Sequence, residues 1–204
     1  HDSRLTGRGE EQAEKLGLYL KTFGIEKFYS SDLGRAMTTS RIVAKHVKKQ
    51  IIPRSRLREI HLGEWEGMTP YEVNLKYGNG FDHWRKSPSR MRIPGAETVR
   101  TFRARVRRAL QELVDRETHS PVLIVTHGGV IAALIAHWLK ADFDRVLLDV
   151  RLDNTGLTFR GLLDGQGLCA AHHQRHLSFG RGQVPCHQLY PISLTAISRR
   201  LRRS

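Results

Sequence analysis

The sequence predicts an α/β domain: a three-layer sandwich with a mostly parallel central sheet and helices on both faces. Short apolar, β-branched runs alternate along most of the chain with amphipathic stretches of helical period. The stretch Pro121–Trp138 reads as strand, tight turn and helix. Val122-Leu123-Ile124-Val125 is a continuous apolar run of the kind buried on both faces, Thr126-His127-Gly128-Gly129 interrupts it, and Val130, Leu134, Ile135 and Trp138 recur at helical spacing. It is too short for a membrane span and carries His127, His137 and a Gly-Gly pair within it. A length of 204 residues suits one domain with a real core.

Before that centre, Leu5-Thr6 precedes a helix with Ala13, Leu16, Leu20 and Phe23 on one face. Thr6 is its N-cap, Glu10 and Glu11 suit its positive end, and Gly24 stops it as a C′ glycine. Ile25–Ser30 reads as a strand, and a second helix runs from about Leu33 to Lys49 with Ala36, Ile42, Val43 and Val47 inward. Ile51-Ile52 is a short strand stopped by Pro53. From Arg58 to Pro94 the periodicity fails, so an irregular insertion is expected over about 60–95. A long helix follows Pro94-Gly95, with Val99, Phe102, Val106, Leu110 and Leu113 inward and arginines outward.

Charge narrows the function classes. The formal net charge is +14, but no acid follows Asp164 while Arg175, Arg181, Arg199, Arg200, Arg202 and Arg203 do, which leaves +8 on residues 1–164. A basic body fits an anionic substrate, and no nucleic-acid-binding signature or interleaved aromatic pattern accompanies it, so no specific nucleic-acid partner is expected. Two cysteines, Cys169 and Cys186, make no disulfide framework, and no signal peptide opens the chain; a cytoplasmic, membrane-free protein is expected. The chain begins at His1 and reads as clipped or processed at its start.

In right-handed βαβ units the strand-to-helix turns open at one edge of the sheet. Ser30-Ser31-Asp32…Arg35 and Thr126-His127 both follow strand ends, so they are expected to converge across about ninety residues of sequence. An arginine, a histidine and helix N-termini brought together make a phosphate site.

The motifs Leu5-Thr6-x-x-Gly9-x-x-Gln12-Ala13, Tyr29-Ser30-Ser31-Asp32-Leu33-x-Arg35-Ala36-x-x-Thr39, Leu57-Arg58-Glu59-Ile60-x-x-Gly63-x-Trp65-x-Gly67, Pro94-Gly95-x-Glu97 and Val125-Thr126-His127-Gly128-Gly129 follow one another in order. Together they resemble the histidine phosphatase superfamily, the phosphoglycerate-mutase-like fold, over residues 1 to about 159. The insertion is similar to the small phosphatase branch that includes broad-specificity and α-ribazole phosphatases. The resemblance implies phosphomonoester hydrolysis in two steps through a phosphohistidine, acting on a small phosphorylated metabolite with no cofactor and no metal. It implies that Arg35, His127 and Gly128 bind the phosphoryl group, that His127 also stabilises charge during transfer, and that Glu59 is the proton donor and then the base. Glu64 and Glu66 are rival carboxylates. Phosphoglycerate-mutase-type transfer and a non-catalytic pseudophosphatase are the alternatives.

Two departures accompany the resemblance. The family's nucleophile is the histidine of an Arg-His-Gly motif on a first strand, and no such triplet occurs in the sequence. His1 lacks the flanking residues, and Arg175-His176-Leu177 lacks the glycine. The first strand is therefore expected to be missing from the sheet, leaving unpaired edges and an inactive, poorly stable polypeptide. Leu152–Thr158 still matches and enters a final strand, but a divergent basic tail of disordered composition is expected over 165–204, against a domain over 1–164. Cys169, His172, His173, His176, Cys186 and His187 match no common zinc spacing. Trp65, Phe81 and Trp84 are read as the insertion's own small core, His61 as exposed, Arg8, Arg90 and Arg92 as solvated, and Asp32 as an N-cap.

Overall fold

A computed structural model of the chain describes residues 3–116, 121–150, 152–163, 166–172 and 192–196. Helix α1 (Gly7–Leu20) starts at the expected cap, the Thr6 hydroxyl accepting from the Gly9 N–H at 3.2 Å. It ends before Gly24: Lys21 is the C-cap, and Gly24 takes φ +61° in the turn that leads to β1 (Lys27–Ser30). Helix α2 (Gly34–Val47) and β2 (Ile51–Pro53) follow. The inward face of α2 is more polar than its apolar residues suggest, with Thr39 and Ser40 buried beside Ala36 and Val43 while Ile42 is half-exposed. Ser40 repays its burial by donating to the Ser30 hydroxyl at 2.8 Å.

The insertion is more regular than its sequence pattern. It holds two short helices, α3 (Pro70–Lys76) and α4 (Gly80–Lys86), besides single 3₁₀ turns. A capping box that the sequence reading passed over opens α3: the Thr69 hydroxyl accepts from the Glu72 N–H, the Glu72 carboxylate accepts from the Thr69 N–H at 2.6 Å, and Pro70 stands at the first helical position. Helices this short show too little period to be seen as amphipathic, which is why the pattern seemed to fail.

Helix α5 (Val99–Arg116), β3 (Val122–Thr126), α6 (Gly128–Trp138) and α7 (Phe143–Asp149) complete the first 150 residues, and β4 (Gly156–Leu163), β5 (Gln166–His172) and β6 (Ile192–Ala196) end the chain's described part. The sheet order is β2-β1-β3-β6-β4-β5. The strands β2, β1, β3 and β6 are parallel neighbours, and β4 runs antiparallel to both β6 and β5.

Within the tail read over 165–204, residues 166–172 and 192–196 are strands. Strand β6 lies between β3 and β4, pairing Val122 with Ile192 through Thr126 with Ala196 on one side and Gly156 with Ala196 through Arg160 with Ile192 on the other. The short run Ile192–Ala196 lacked a helical neighbour to mark it as part of a βαβ pattern, so only the backbone pairing reveals it. Of the candidate zinc residues, Cys169 and His172 fall on β5, whereas His173, His176, Cys186 and His187 lie outside the described residues.

Strand β3 is buried along its whole length and divides the core. Val122 and Ile124 face α5, α6 and α7, among Phe102, Val106, Ile131, Leu134 and Phe143, while Leu123 and Val125 face α1 and α2, among Leu16, Leu20, Ala36 and Val43. That alternation is the period of two applied to a strand covered on both sides, and it makes the three layers. Among the described residues no helix is long and apolar enough to cross a membrane.

Phe102 is fully buried and packs edge-on against Phe143, ring centroids 6.3 Å apart. Phe102→Ala is expected to cost about 3–5 kcal/mol of unfolding free energy, read as a lower denaturation midpoint with an unchanged m-value.

Candidate active site

The site lies at the carboxyl ends of β1 and β3, where both strands hand over to helices. Strand β1 ends at Ser30, and Ser31 is tied to β3 by donating its N–H to the Val125 carbonyl at 2.8 Å. Strand β3 ends at Thr126, and His127 occupies the N-cap position of α6 in extended backbone conformation without capping through its side chain. The ring of His127 is fully buried, and its Nε2 shares a hydrogen bond of 2.7 Å with the Ser31 hydroxyl. The two strand ends expected to converge are thus joined directly, although they are 96 positions apart.

Glu59 arrives from a third segment. The chain leaves β2, makes a 3₁₀ turn at Ser55–Leu57, and brings Glu59 to the start of α6. There the Gly129 N–H donates to Oε2 of Glu59 at 3.0 Å, and the Ile60 N–H donates to Oε1 at 2.9 Å. The carboxylate thus sits at a helix N-terminus, where partial positive charge and free donors favour an anion. Burial acts the other way and is stronger: it pushes the Glu59 carboxyl above its ordinary range, against the lowering effect of the Gly129 and Ile60 N–H groups and of the Arg35 and Arg105 charges. A Cβ at Gly129 would lie 2.3 Å from Oε1 of Glu59, so a side chain there would displace the carboxylate from this seat.

Arg35, Glu59, Gly128 and Gly129 line one cleft of about 670 Å³, whose outer walls include Trp65, Phe81, Trp84 and Phe143. His127 is fully buried and is not part of the lining. The aromatics of the insertion pair with one another as expected, Phe81 stacked on Trp84 with centroids 5.7 Å apart and Trp65 against Tyr77 at 6.1 Å, but three of them also form the cleft mouth. The same aromatics thus serve the insertion's small core and wall the cleft.

The rival carboxylates are committed elsewhere. Glu64 accepts from the Tyr77 hydroxyl at 2.8 Å, and Glu66 lines the cleft but accepts from the Leu62 N–H at 3.0 Å. Asp32 is not an N-cap. Leu33 holds the cap position of α2, and Asp32 instead takes both arms of the Arg58 guanidinium, Nε and Nη2, at 2.7 Å each. Those hydrogen bonds from Arg58 hold the Asp32 carboxyl below its ordinary range. The pairing joins residues 26 positions apart, which no local spacing could reveal. His61 is exposed at the cleft rim, and Arg8, Arg90 and Arg92 are exposed as expected.

Sequence reasoning passed over what holds the Glu59 segment. The Thr126 hydroxyl donates to the Leu57 carbonyl at 2.8 Å, and Arg105 of α5 donates from Nη1 to the carbonyls of Arg56 and Arg58 at 2.8 and 3.0 Å. Gly63, at φ +54°, lets this loop lie against Pro94-Gly95, where a Cβ would meet the Pro94 carbonyl at 2.1 Å. The Glu59-to-Gly67 motif and the Pro94-Gly95-x-Glu97 motif are thereby one structure.

Comparison with known proteins places this geometry. The family model described as histidine phosphatase superfamily (branch 1) matches residues 1–173. The chain is 34% identical over 159 residues to 2-carboxy-D-arabinitol-1-phosphatase of Triticum aestivum, which covers 77% of this chain and 32% of that protein. It is 30% identical over 144 residues to phosphoserine phosphatase 1 of Hydrogenobacter thermophilus, covering 71% and 68%. It is 34% identical over 139 residues to the probable phosphoglycerate mutase GpmB of Escherichia coli, covering 66% and 63%. The chain thus spans about a third of the wheat protein's length and under two thirds of the mutase's. Among solved structures, YhfR of Bacillus stearothermophilus superposes with a TM-score of 0.79 at 33% identity over 87% of each chain.

The raised pKa of Glu59 sets a pH dependence of stability. Because the folded state favours the neutral acid, the contribution of Glu59 is fully present below the ordinary carboxyl pKa and is lost as pH rises through the higher folded value. The melting temperature of the wild type minus that of Glu59→Gln is expected to fall as pH rises from about 4 to 8, measured by thermal denaturation in buffers of equal ionic strength. A difference that stays flat or rises with pH contradicts it.

Proposed function

The chain belongs to the histidine phosphatase superfamily, branch 1, and from that membership we propose that its site serves phosphomonoester hydrolysis through a phosphohistidine, acting on a small phosphorylated metabolite. The observation that carries the proposal is the meeting of Arg35, Glu59 and the Gly128-Gly129 start of α6 in one cleft, from three segments far apart in sequence. Arg35 binds the phosphoryl oxygens through its guanidinium fork, and the Gly128 end of α6 supplies backbone dipole. His127, held against Ser31 one residue before the Gly128 that lines the cleft, is assigned the stabilisation of charge that develops in transfer.

Glu59 carries the proton. In the first step the nucleophilic imidazole bonds to phosphorus, the ester P–O bond breaks, and the departing alkoxide takes the proton of Glu59. In the second, Glu59 takes a proton from water, the water oxygen bonds to phosphorus, and the P–N bond breaks to release phosphate. Burial raises the Glu59 carboxyl above its ordinary range, which suits the first role, because an acid can donate only a proton it still holds. No metal or cofactor is required by this scheme, since guanidinium and imidazole supply the positive charge.

The nucleophile is the remaining part. The sequence contains no Arg-His-Gly triplet, so on this reading the 204-residue polypeptide binds phosphate without turning over an ester, and turnover needs a strand bearing that triplet. Hydrolysis is favoured over phosphoglycerate-mutase-type transfer by the cleft's other guanidiniums. Arg58 is taken up by Asp32 and Arg105 by Glu97, leaving them poorly placed to grip a second anionic group.

Two measurements test the proposal. Inorganic phosphate or orthovanadate is expected to bind the chain, and Arg35→Ala to weaken it by about 1.5–3 kcal/mol, roughly 10- to 100-fold in Kd by calorimetry. Joining an upstream Arg-His-Gly strand to the chain is expected to create p-nitrophenyl phosphatase activity that Glu59→Gln lowers by roughly 10²–10⁴-fold in kcat. Absence of any gain with the strand in place defeats the hydrolase reading and favours a pseudophosphatase; turnover only with phosphoglycerate as acceptor favours the mutase.

A further inference from the structure

We propose that Arg105 is the positioning residue for Glu59, and that the acid of the Pro94-Gly95-x-Glu97 motif exists to aim it. The inference rests on the reading of Glu59 as the proton carrier. Four of the five N–H donors of the Arg105 guanidinium are committed. Nε and Nη2 donate to the two oxygens of Glu97 at 2.9 and 2.7 Å, and Nη1 donates to the carbonyls of Arg56 and Arg58 at 2.8 and 3.0 Å. The second carbonyl belongs to the residue immediately before Glu59. The carbonyl between them, that of Leu57, is held by the Thr126 hydroxyl from β3. Three consecutive peptide oxygens are therefore fixed from two directions, by α5 and by the sheet, just where the chain must deliver a carboxylate to the Gly129 N–H.

The bidentate pair with Glu97 gives the clamp its stiffness. Both partners are shielded, with side-chain exposures of 22% for Arg105 and 15% for Glu97, and the guanidinium carbon also lies 5.1 Å over the ring of Phe102. Arg105 borders the cleft, but with four donors committed its guanidinium has little left to offer a substrate, so its role is to set the loop. Glu97 is itself anchored, donating its N–H to the His61 carbonyl at 3.0 Å on the far side of the same loop. Lysine could supply the charge of Arg105 but not the planar fork that reaches two carbonyls and a carboxylate together.

The charges acting on Glu59 come from Arg35 of α2 and Arg105 of α5, and its hydrogen bonds come from the Gly129 and Ile60 N–H groups. The test reads those bonds directly on the 204-residue chain, without turnover. The amide resonances of Gly129 and Ile60 are followed by NMR across the titration of Glu59, alongside the calorimetric Kd of inorganic phosphate. In the wild type the Gly129 amide is expected to move with Glu59. In Arg105→Lys the amplitude at Gly129 is expected to fall at least about twofold while the phosphate Kd stays within about threefold, because the loop and not the phosphate clamp has been released. Glu97→Gln, which keeps Arg105 and disturbs only its aim, is expected to give a smaller loss in the same direction, and it serves as the deciding variant if Arg105→Lys does not fold. A Gly129 titration unchanged in both variants overturns the proposal. Phosphate binding that is indifferent to Arg35→Ala, with the Arg105 effect present, would instead remove the phosphatase reading and leave the positioning role standing.

Discussion

The carboxylate of Glu59 at the start of α6 is the contact on which the arrangement of the site depends. It joins a loop from the chain's first third to a helix from its second half, and it does so against a cost. Burial disfavours the anion, while the Gly129 and Ile60 N–H groups and nearby guanidiniums favour it. The outcome is an acid kept neutral further up the pH scale than usual, yet held by donors that can stabilise its charge once the proton leaves. The proton donation and abstraction proposed for Glu59 need both properties in one group. The carboxylate occupies the space where a Gly129 side chain would begin.

That contact explains the distribution of polar groups around it. Ser30, Ser31, Ser40, Thr126 and His127 are buried at the ends of β1 and β3, where apolar residues would otherwise be expected. Each found partner ties elements together: Ser40 to Ser30 links α2 to β1, Ser31 to His127 links β1 to β3, and Thr126 to Leu57 links β3 to the Glu59 loop. A buried network of this kind tolerates few alternative positions for its members. The apolar layers above and below the sheet provide the stability, and the polar layer at the strand ends provides the registration.

Much of this was legible in the amino-acid order. The strand-turn-helix at Val122–Trp138, the Thr6 cap and the inward face of α5 follow from short-range rules, namely continuous β-branched burial, a hydroxyl before a helix and a period of 3.6. Arg35, Glu59 and Gly128 were singled out by residue type and motif order, and all three line one cleft. The failures share a cause. Helices α3 and α4 span seven residues each, less than the window in which period can be recognised. Asp32 looked like a cap because its neighbours in sequence allow one, but its actual partner, Arg58, lies 26 residues on. The pairing of β6 with both β3 and β4 depends on backbone hydrogen bonds, which leave almost no trace in side-chain composition.

By itself, the sequence determined the alternation of strands and helices, the edge of the sheet at which the site lies, and the kinds of group that meet there, because periodicity, caps and right-handed crossovers act over a few residues or follow from chain chirality. Only the tertiary structure decided which carboxylate is seated at α6, that His127 is buried against Ser31 outside the cleft lining, and that Arg105 and Glu97 hold the Glu59 loop. Those outcomes turn on distances of about 3 Å between residues tens of positions apart, where hydrogen bonding and desolvation compete. That competition is settled by packing in three dimensions and has no counterpart in the spacing of residues along the chain.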